Sequence, residues 1–118
     1  GLGVGLGNVE IYMSTYTNVG HITNIHNWIM EILVSGGVIN FIIFVFAYAF
    51  MIIKLFKLNY TKQINKDDKK IVRFVLSFVV IFLFASISPS SCMQSDYVWS
   101  SLAVSAASVQ FLTKKYGV

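Results

Sequence analysis

The side chains best suited to chemistry are His26, Asn27, Trp28 and Glu31, which stand at the head of a long apolar run. His26 titrates near neutral pH, so it can take a proton from an attacking hydroxyl or, when charged, hold an anionic group. Asn27 is a natural helix cap, and Glu31, four residues on, shares its helical face one turn deeper, where it could orient His26. Trp28 could stack on a sugar ring, although anchoring at the lipid headgroups is the commoner use of such a Trp. By spacing alone, a His in this setting also fits a polar residue at a membrane interface. His21, in a polar stretch, reads as surface.

The elements that must position these residues are membrane helices. The chain has 118 residues, of which 56% are hydrophobic, 15% aromatic and only 12% charged, well away from the averages of a soluble domain. Its apolar residues fall in long blocks, which predict an all-α integral membrane fold with three transmembrane helices, over residues 28–56, 71–88 and 98–113. Residues 1–27 read as the end of an outer loop, 57–70 as a basic cytoplasmic loop, 89–97 as a short outer loop and 114–118 as a cytoplasmic tail. Residues 38–56 alone would measure roughly 28 Å as a helix, close to the hydrocarbon thickness. Ahead of them, Gly36 and Gly37 either kink the helix or admit a close neighbour.

Charge sets the sidedness. Lys54, Lys57, Lys62, Lys66, Lys69, Lys70 and Arg73 flank or fill the loop after the first span, and by the positive-inside rule that loop is cytoplasmic. A basic cluster can also meet nucleic acid or acidic lipid, but topology alone accounts for this one. Lys114 and Lys115 put the end of the last span on the same side. Pro89, in Ser88-Pro89-Ser90-Ser91, predicts a stop to the second span, and Asp96 reads as a solvated loop acid. Trp99 suits the headgroup level. Ser101, Ser105 and Ser108, with Ala103 and Ala107, let helix backbones approach closely in the third span. Gly1, Gly3, Gly5 and Gly7 match no nucleotide-binding spacing and read as a turn or helix break, with phosphate contact as the alternative. Cys92 is the single cysteine, so redox and zinc chemistry have no sequence support.

The run GLGVGLGN at positions 1–8, HNWIMEILVSGGVINFIIFVFAY at 26–48, the basic loop, a second span ending in SPSS and a small-residue final span together resemble the C-terminal part of the O-antigen ligase and polysaccharide polymerase family. The resemblance implies a glycosyltransferase of the bacterial plasma membrane that moves glycan from an undecaprenyl diphosphate carrier to an acceptor hydroxyl on the outer face. It assigns catalysis to His26, acting on the acceptor hydroxyl, and a scheme of this kind requires neither nucleotide nor metal. Asn27, Glu31 and Trp28 are the expected substrate-binding residues beside it. Family members hold the diphosphate with arginines on earlier segments, whereas Arg73, the one arginine here, lies on the cytoplasmic flank. Together with a start at Gly1 rather than Met, this predicts a piece of a larger enzyme, inactive by itself and partnered by further N-terminal spans.

Two other classes stay open at this stage. The chain could be a small non-catalytic membrane subunit that docks through its Ser/Ala helix. It could also be a transporter or channel piece, although its ionisable residues fall near the span boundaries rather than at mid-membrane.

Overall fold

A single glycine decides the shape of the long apolar segment. The computed structural model describes residues 2–5, 8–16, 27–86 and 95–118, which form four helices: α1 (Val9–Tyr16), α2 (Trp28–Tyr60), α3 (Lys66–Ala85) and α4 (Asp96–Tyr116). There is no strand among the described residues, in line with the all-α expectation. Inside α2, Gly37 takes φ 76° and ψ 176°, a region open essentially to glycine alone. The helix therefore breaks. The ring centroids of Trp28 and Phe44 lie 5.8 Å apart, whereas an unbroken helix would separate these positions by roughly 24 Å along its axis. The first segment, residues 28–36, thus folds back towards the start of the second, residues 38–60. The helix kinks at the Gly36-Gly37 pair, and a straight helix that begins after Gly37 measures roughly 34 Å.

A broken helix leaves carbonyl groups without their intrahelical partners. In a continuous helix the Val34 and Ser35 carbonyls would accept from residues four further along. Here the backbone N–H groups of Val4 and Gly5 donate to them, at 2.8 and 2.9 Å. Glycine makes that approach possible, because a Cβ on Gly3 would stand 2.5 Å from both the Gly37 nitrogen and the Ser35 oxygen. The N-terminal glycine run is therefore a backbone strap over the break, and the Gly5 N–H that a phosphate would need is already used.

The expected loop over 1–27 contains a helix, α1. The Asn8 carbonyl accepts from the Tyr12 N–H at 2.8 Å, the Asn8 side-chain amide donates to the Val4 carbonyl at 3.3 Å, and Val9 is buried. Eight residues are too few to display a period, and so short a helix depends on docking for its stability. The expected loop over 57–70 shrinks to residues 61–65, because α2 runs on to Tyr60 and α3 starts at Lys66. Lysine is a good helix former, so Lys57 does not end the helix. The Asn65 Oδ1 starts the next one by accepting from the Asp68 N–H at 2.7 Å.

Antiparallel α2 and α3 bury Leu55, Leu58, Val72 and Val79 completely. The Tyr48 hydroxyl donates to the Val79 carbonyl at 2.7 Å, which gives the buried phenol a partner. Helix α4 packs on this pair through Val98, Leu102, Val109 and Leu112, and it runs from Asp96 to Tyr116 rather than over 98–113. At the loop end, Lys115 and Tyr116 both donate to Asp68 Oδ2, each at 2.5 Å, which ties α4 to α3. Those hydrogen bonds, the one from Lys115 first, hold the Asp68 carboxyl below its usual range. The same bond raises Lys115. The predicted stop at Pro89 lies outside the described residues, and α3 is described as far as Ala85, with Ser86 capping it.

Among the described residues α2 is the one helix long and apolar enough to cross a membrane, with a mean hydropathy of 2.4 over its best window. Only 17% of that window is buried against the rest of the chain, whereas a soluble core helix would be mostly covered. The three spans expected from the sequence are not all supported. Helix α3 opens with Lys66, Asp67, Asp68, Lys69 and Lys70, and α4 is diluted by serine and bounded by Asp96, Lys114 and Lys115. Both still present large bare apolar side chains, Phe74 and Phe84 on α3 and Val104 and Phe111 on α4.

Replacing Gly37 by Ala should cost about 1–3 kcal/mol of stability in detergent and speed hydrogen exchange at the Val4 and Gly5 amides; unchanged protection there would refute the strap. The Asp68 pair contributes stability above the ordinary carboxylate range, lost as pH falls through the lowered Asp68 value. On the alkaline side the contribution is full below the ordinary lysine value and lost as pH rises through the raised Lys115 value. Thermal melts across pH, compared with Asp68→Asn, should show both limbs flattened in the variant.

Candidate functional site

The fold-back encloses a cavity of about 450 Å³, lined by Leu2, Gly5, Glu31, Ile32, Ser35, Gly36, Asn40, Phe44 and Trp99. Its polar groups come from both sides of the break, with Glu31 and Ser35 on the short segment and Asn40 on the long one. Glu31 is 4% exposed and Ser35 5%, so the acid stands in a largely apolar, low-dielectric setting where hydrogen bonds are strong and unpaired charge is costly. The strap roofs the cavity through Leu2 and Gly5. On another side, Phe44 of α2 meets Trp99 of α4 edge to face, with centroids 6.3 Å apart at 83°. This aromatic pair also lines a larger cavity of about 630 Å³ between α2 and α4, which runs past Met51 and Leu102 to Lys54 and Lys114.

The residues singled out from the sequence fall into different roles. Asn27 is the N-cap of α2, its Oδ1 accepting from the backbone N–H of Ile29 at 2.9 Å and of Met30 at 3.4 Å. Capping thus occupies the oxygen it could have offered a substrate. Trp28 is 6% exposed, and its indole N–H donates to the Leu83 carbonyl at 3.3 Å. It is a strut between α2 and α3 rather than an open platform for a sugar. Glu31 points into the cavity, one turn along from Asn27. His26 lies outside the described residues, as do His21, Ser88 to Ser91 and Cys92.

Asn40 and Trp99 belong to this cavity and were not read as site residues. Asn40 had a signal in the sequence, an amide set inside an otherwise apolar run. Trp99 had none beyond its type, because only the packing of α4 across the break carries it there. The cavity can accept and donate several hydrogen bonds from three unlike side chains and present an aromatic face, and among the described residues no lysine or arginine lines it.

Trp28→Phe should leave the cavity lining intact while removing the bond to Leu83, lowering stability by about 1 kcal/mol. Chemical unfolding in detergent would measure it, and a loss within error would show that the indole N–H bears no weight.

No family model matches this chain and no solved structure matches it. Over 116 residues, 97% of the chain, it is 33% identical to the teichuronic acid biosynthesis protein TuaE of Bacillus subtilis (strain 168), of which it spans only 24%, about a quarter of that relative's length. The chain is thus similar, along almost all of its own length, to part of a teichuronic acid biosynthesis protein.

Proposed function

We propose that this chain is the acceptor-handling part of a membrane glycosyltransferase that transfers or polymerises glycan from an undecaprenyl diphosphate carrier on the outer face of the bacterial plasma membrane. The observation that carries the reading is the buried Glu31 in a polar cavity one turn from Asn27, at one end of the long apolar helix. The likeness to a polysaccharide biosynthesis protein over 97% of the chain supports it. Among the products of such enzymes, the likeness to a teichuronic acid biosynthesis protein favours a teichuronic-type polymer over O-antigen.

Placing residues 38–56 in the hydrocarbon layer puts the Gly37 break and its cavity at the outer boundary and the lysine-rich end of α2 and α3 in the cytoplasm. Non-helical backbone at such a depth is tolerated where it lines a cavity and finds partners, as the strap provides. In this arrangement α3 and α4 also cross. The hydroxyls of Ser101, Ser105 and Ser108 donate to the carbonyls of Tyr97, Ser101 and Val104 at 2.7–2.8 Å, so the serine-rich helix carries its polar groups already paired. The bare apolar faces of α3 and α4 meet lipid or further spans.

In the proposed reaction His26 takes the proton from an acceptor hydroxyl as its oxygen attacks the anomeric carbon. The bond from that carbon to the carrier diphosphate breaks, and undecaprenyl diphosphate leaves with the electron pair. The diphosphate is a good leaving group and needs only cationic support. Arg73 lies at the opposite end of the bundle, beside Asn59, so that support comes from other segments of the enzyme.

Cells carrying the full gene product with His26→Ala, at equal membrane expression, should lose long surface polymer on gels and accumulate lipid-linked precursor. Unchanged polymer length and amount would overturn the assignment and favour a docking module.

A further inference from the structure

The larger cavity, between α2 and α4, takes no part in the function proposed above. Ala47 on α2 and Ala106 on α4 withhold side-chain volume from it, and buried Met51, Leu102 and Val109 give it an apolar wall. Phe50 lines it while 62% exposed, so the space opens to its surroundings as a groove. The lining runs from Phe44 and Trp99 to Lys54 and Lys114. Along α2 that is roughly 15 Å, about half of a hydrocarbon layer of roughly 30 Å. With residues 38–56 in that layer, the groove begins near the mid-plane and ends at the lysine-rich boundary.

The chemistry changes at that foot. Lys54 lies over the Phe50 ring, its Nζ 5.5 Å from the centroid, and donates to the Val118 carbonyl at 2.8 Å, which leaves two of its three N–H donors. Lys114 is exposed, and among the described residues no carboxylate lines the groove. Thr113 lines it as well, and its hydroxyl is closed to solvent and has no hydrogen-bond partner among the described residues. Threonine populates two χ1 rotamers in a helix, so an acceptor oxygen at the foot can draw this hydroxyl out of an unfavourable state.

We propose that the groove binds an anionic phospholipid of the inner leaflet, with one acyl chain lying between α2 and α4 and the phosphate meeting Lys114, Lys54 and the Thr113 hydroxyl. This rests on the membrane placement proposed above and not on the role of His26. Basic pockets between helices at the cytoplasmic boundary suit anionic headgroups, and the apolar wall beside this one strengthens the attraction relative to an open surface. A crossing helix is the poorer occupant, since it spans both leaflets where the groove spans one. A lipid with its phosphate at the outer face fits no better, because its charge would lie beyond the Phe44 and Trp99 end, away from both lysines. The bound lipid fills the space between α2 and α4, so the docking of α4, and with it the Trp99 wall of the polar cavity, depends on anionic lipid.

The test uses the full gene product in nanodiscs of phosphatidylglycerol or phosphatidylcholine with identical acyl chains, released for native mass spectrometry to count retained lipid. Wild type should retain phosphatidylglycerol about tenfold better than phosphatidylcholine. Lys54→Gln with Lys114→Gln should abolish the preference, whereas Lys62→Gln with Lys69→Gln, outside the groove, should keep it. Ala106→Phe should expel the lipid, and glycerophosphoglycerol, the headgroup without chains, should not bind.

A preference that survives the Lys54 and Lys114 changes, that falls equally with the Lys62 and Lys69 changes, or that ignores Ala106→Phe would overturn the proposal. So would a wild type that retains no phospholipid, the result if another helix of the enzyme fills the groove. If Ala106→Phe does not accumulate in membranes, the two lysine pairs decide. Labelling of Lys62→Cys in intact cells by an impermeant maleimide would overturn the membrane placement and the inner-leaflet assignment with it. Unchanged surface polymer in His26→Ala would overturn the catalytic reading and leave the lipid result standing.

Discussion

A helix that breaks inside an apolar environment must find partners for the backbone groups the break releases, and the arrangement of this chain follows from how it does so. Gly37 adopts a backbone conformation that a side chain would forbid, and the strap at residues 2–5 supplies the missing N–H groups. The two devices need each other. Without a glycine at position 3, the strap could not come close enough to reach Val34 and Ser35. Without the strap, two carbonyls would face an apolar interior at the cost of several kcal/mol each in lipid.

The fold-back also creates the polar cavity. Glu31 and Ser35 lie on one arm and Asn40 on the other, so the carboxylate, hydroxyl and amide converge only because the helix reverses. A straight α2 would have spread them along one side of a rod. Trp99 and Phe44 line this cavity and the larger one between α2 and α4. At the other end of the bundle the chain is conventional, with a short capped turn, a lysine-rich flank and Asp68 tying α3 to α4 through Lys115 and Tyr116. The hydrogen-bonded, charged end ties the helices together, and the broken end encloses the cavity.

Some of the site could be read directly from residue order. Asn27 followed by an apolar run is a capping signal because the cap and the N–H groups it accepts are neighbours in the chain, and the capping bonds are where that reasoning puts them. The pair Gly36-Gly37 signalled a break or a close approach, and both occur. Trp28 by its type and depth fits both a sugar platform and an interfacial anchor, and its bond to α3 was not legible because the Leu83 carbonyl that takes its N–H lies 55 residues away. Asn40 was passed over as one polar residue in an apolar run, since nothing local says that a fold-back puts it in the lining of the same cavity as Glu31. The short helix α1 was invisible to periodicity for lack of length.

What the sequence by itself determined is what depends on composition and near neighbours: an all-helical chain, a long apolar helix, basic residues gathered at one end, caps at Asn27 and Asn65, and a weak point at Gly37. Hydrophobicity and charge partition chain segments between apolar and aqueous surroundings without reference to any distant contact, so they can be read in order. Tertiary structure alone decided the direction of the break, the use of the glycine run as a strap, the reassignment of Trp28 to the core and the meeting of Glu31, Asn40 and Trp99. Each of those is a contact between residues remote in the chain, and it exists only because Gly37 permits a reversal whose angle the packing, not the local sequence, selects.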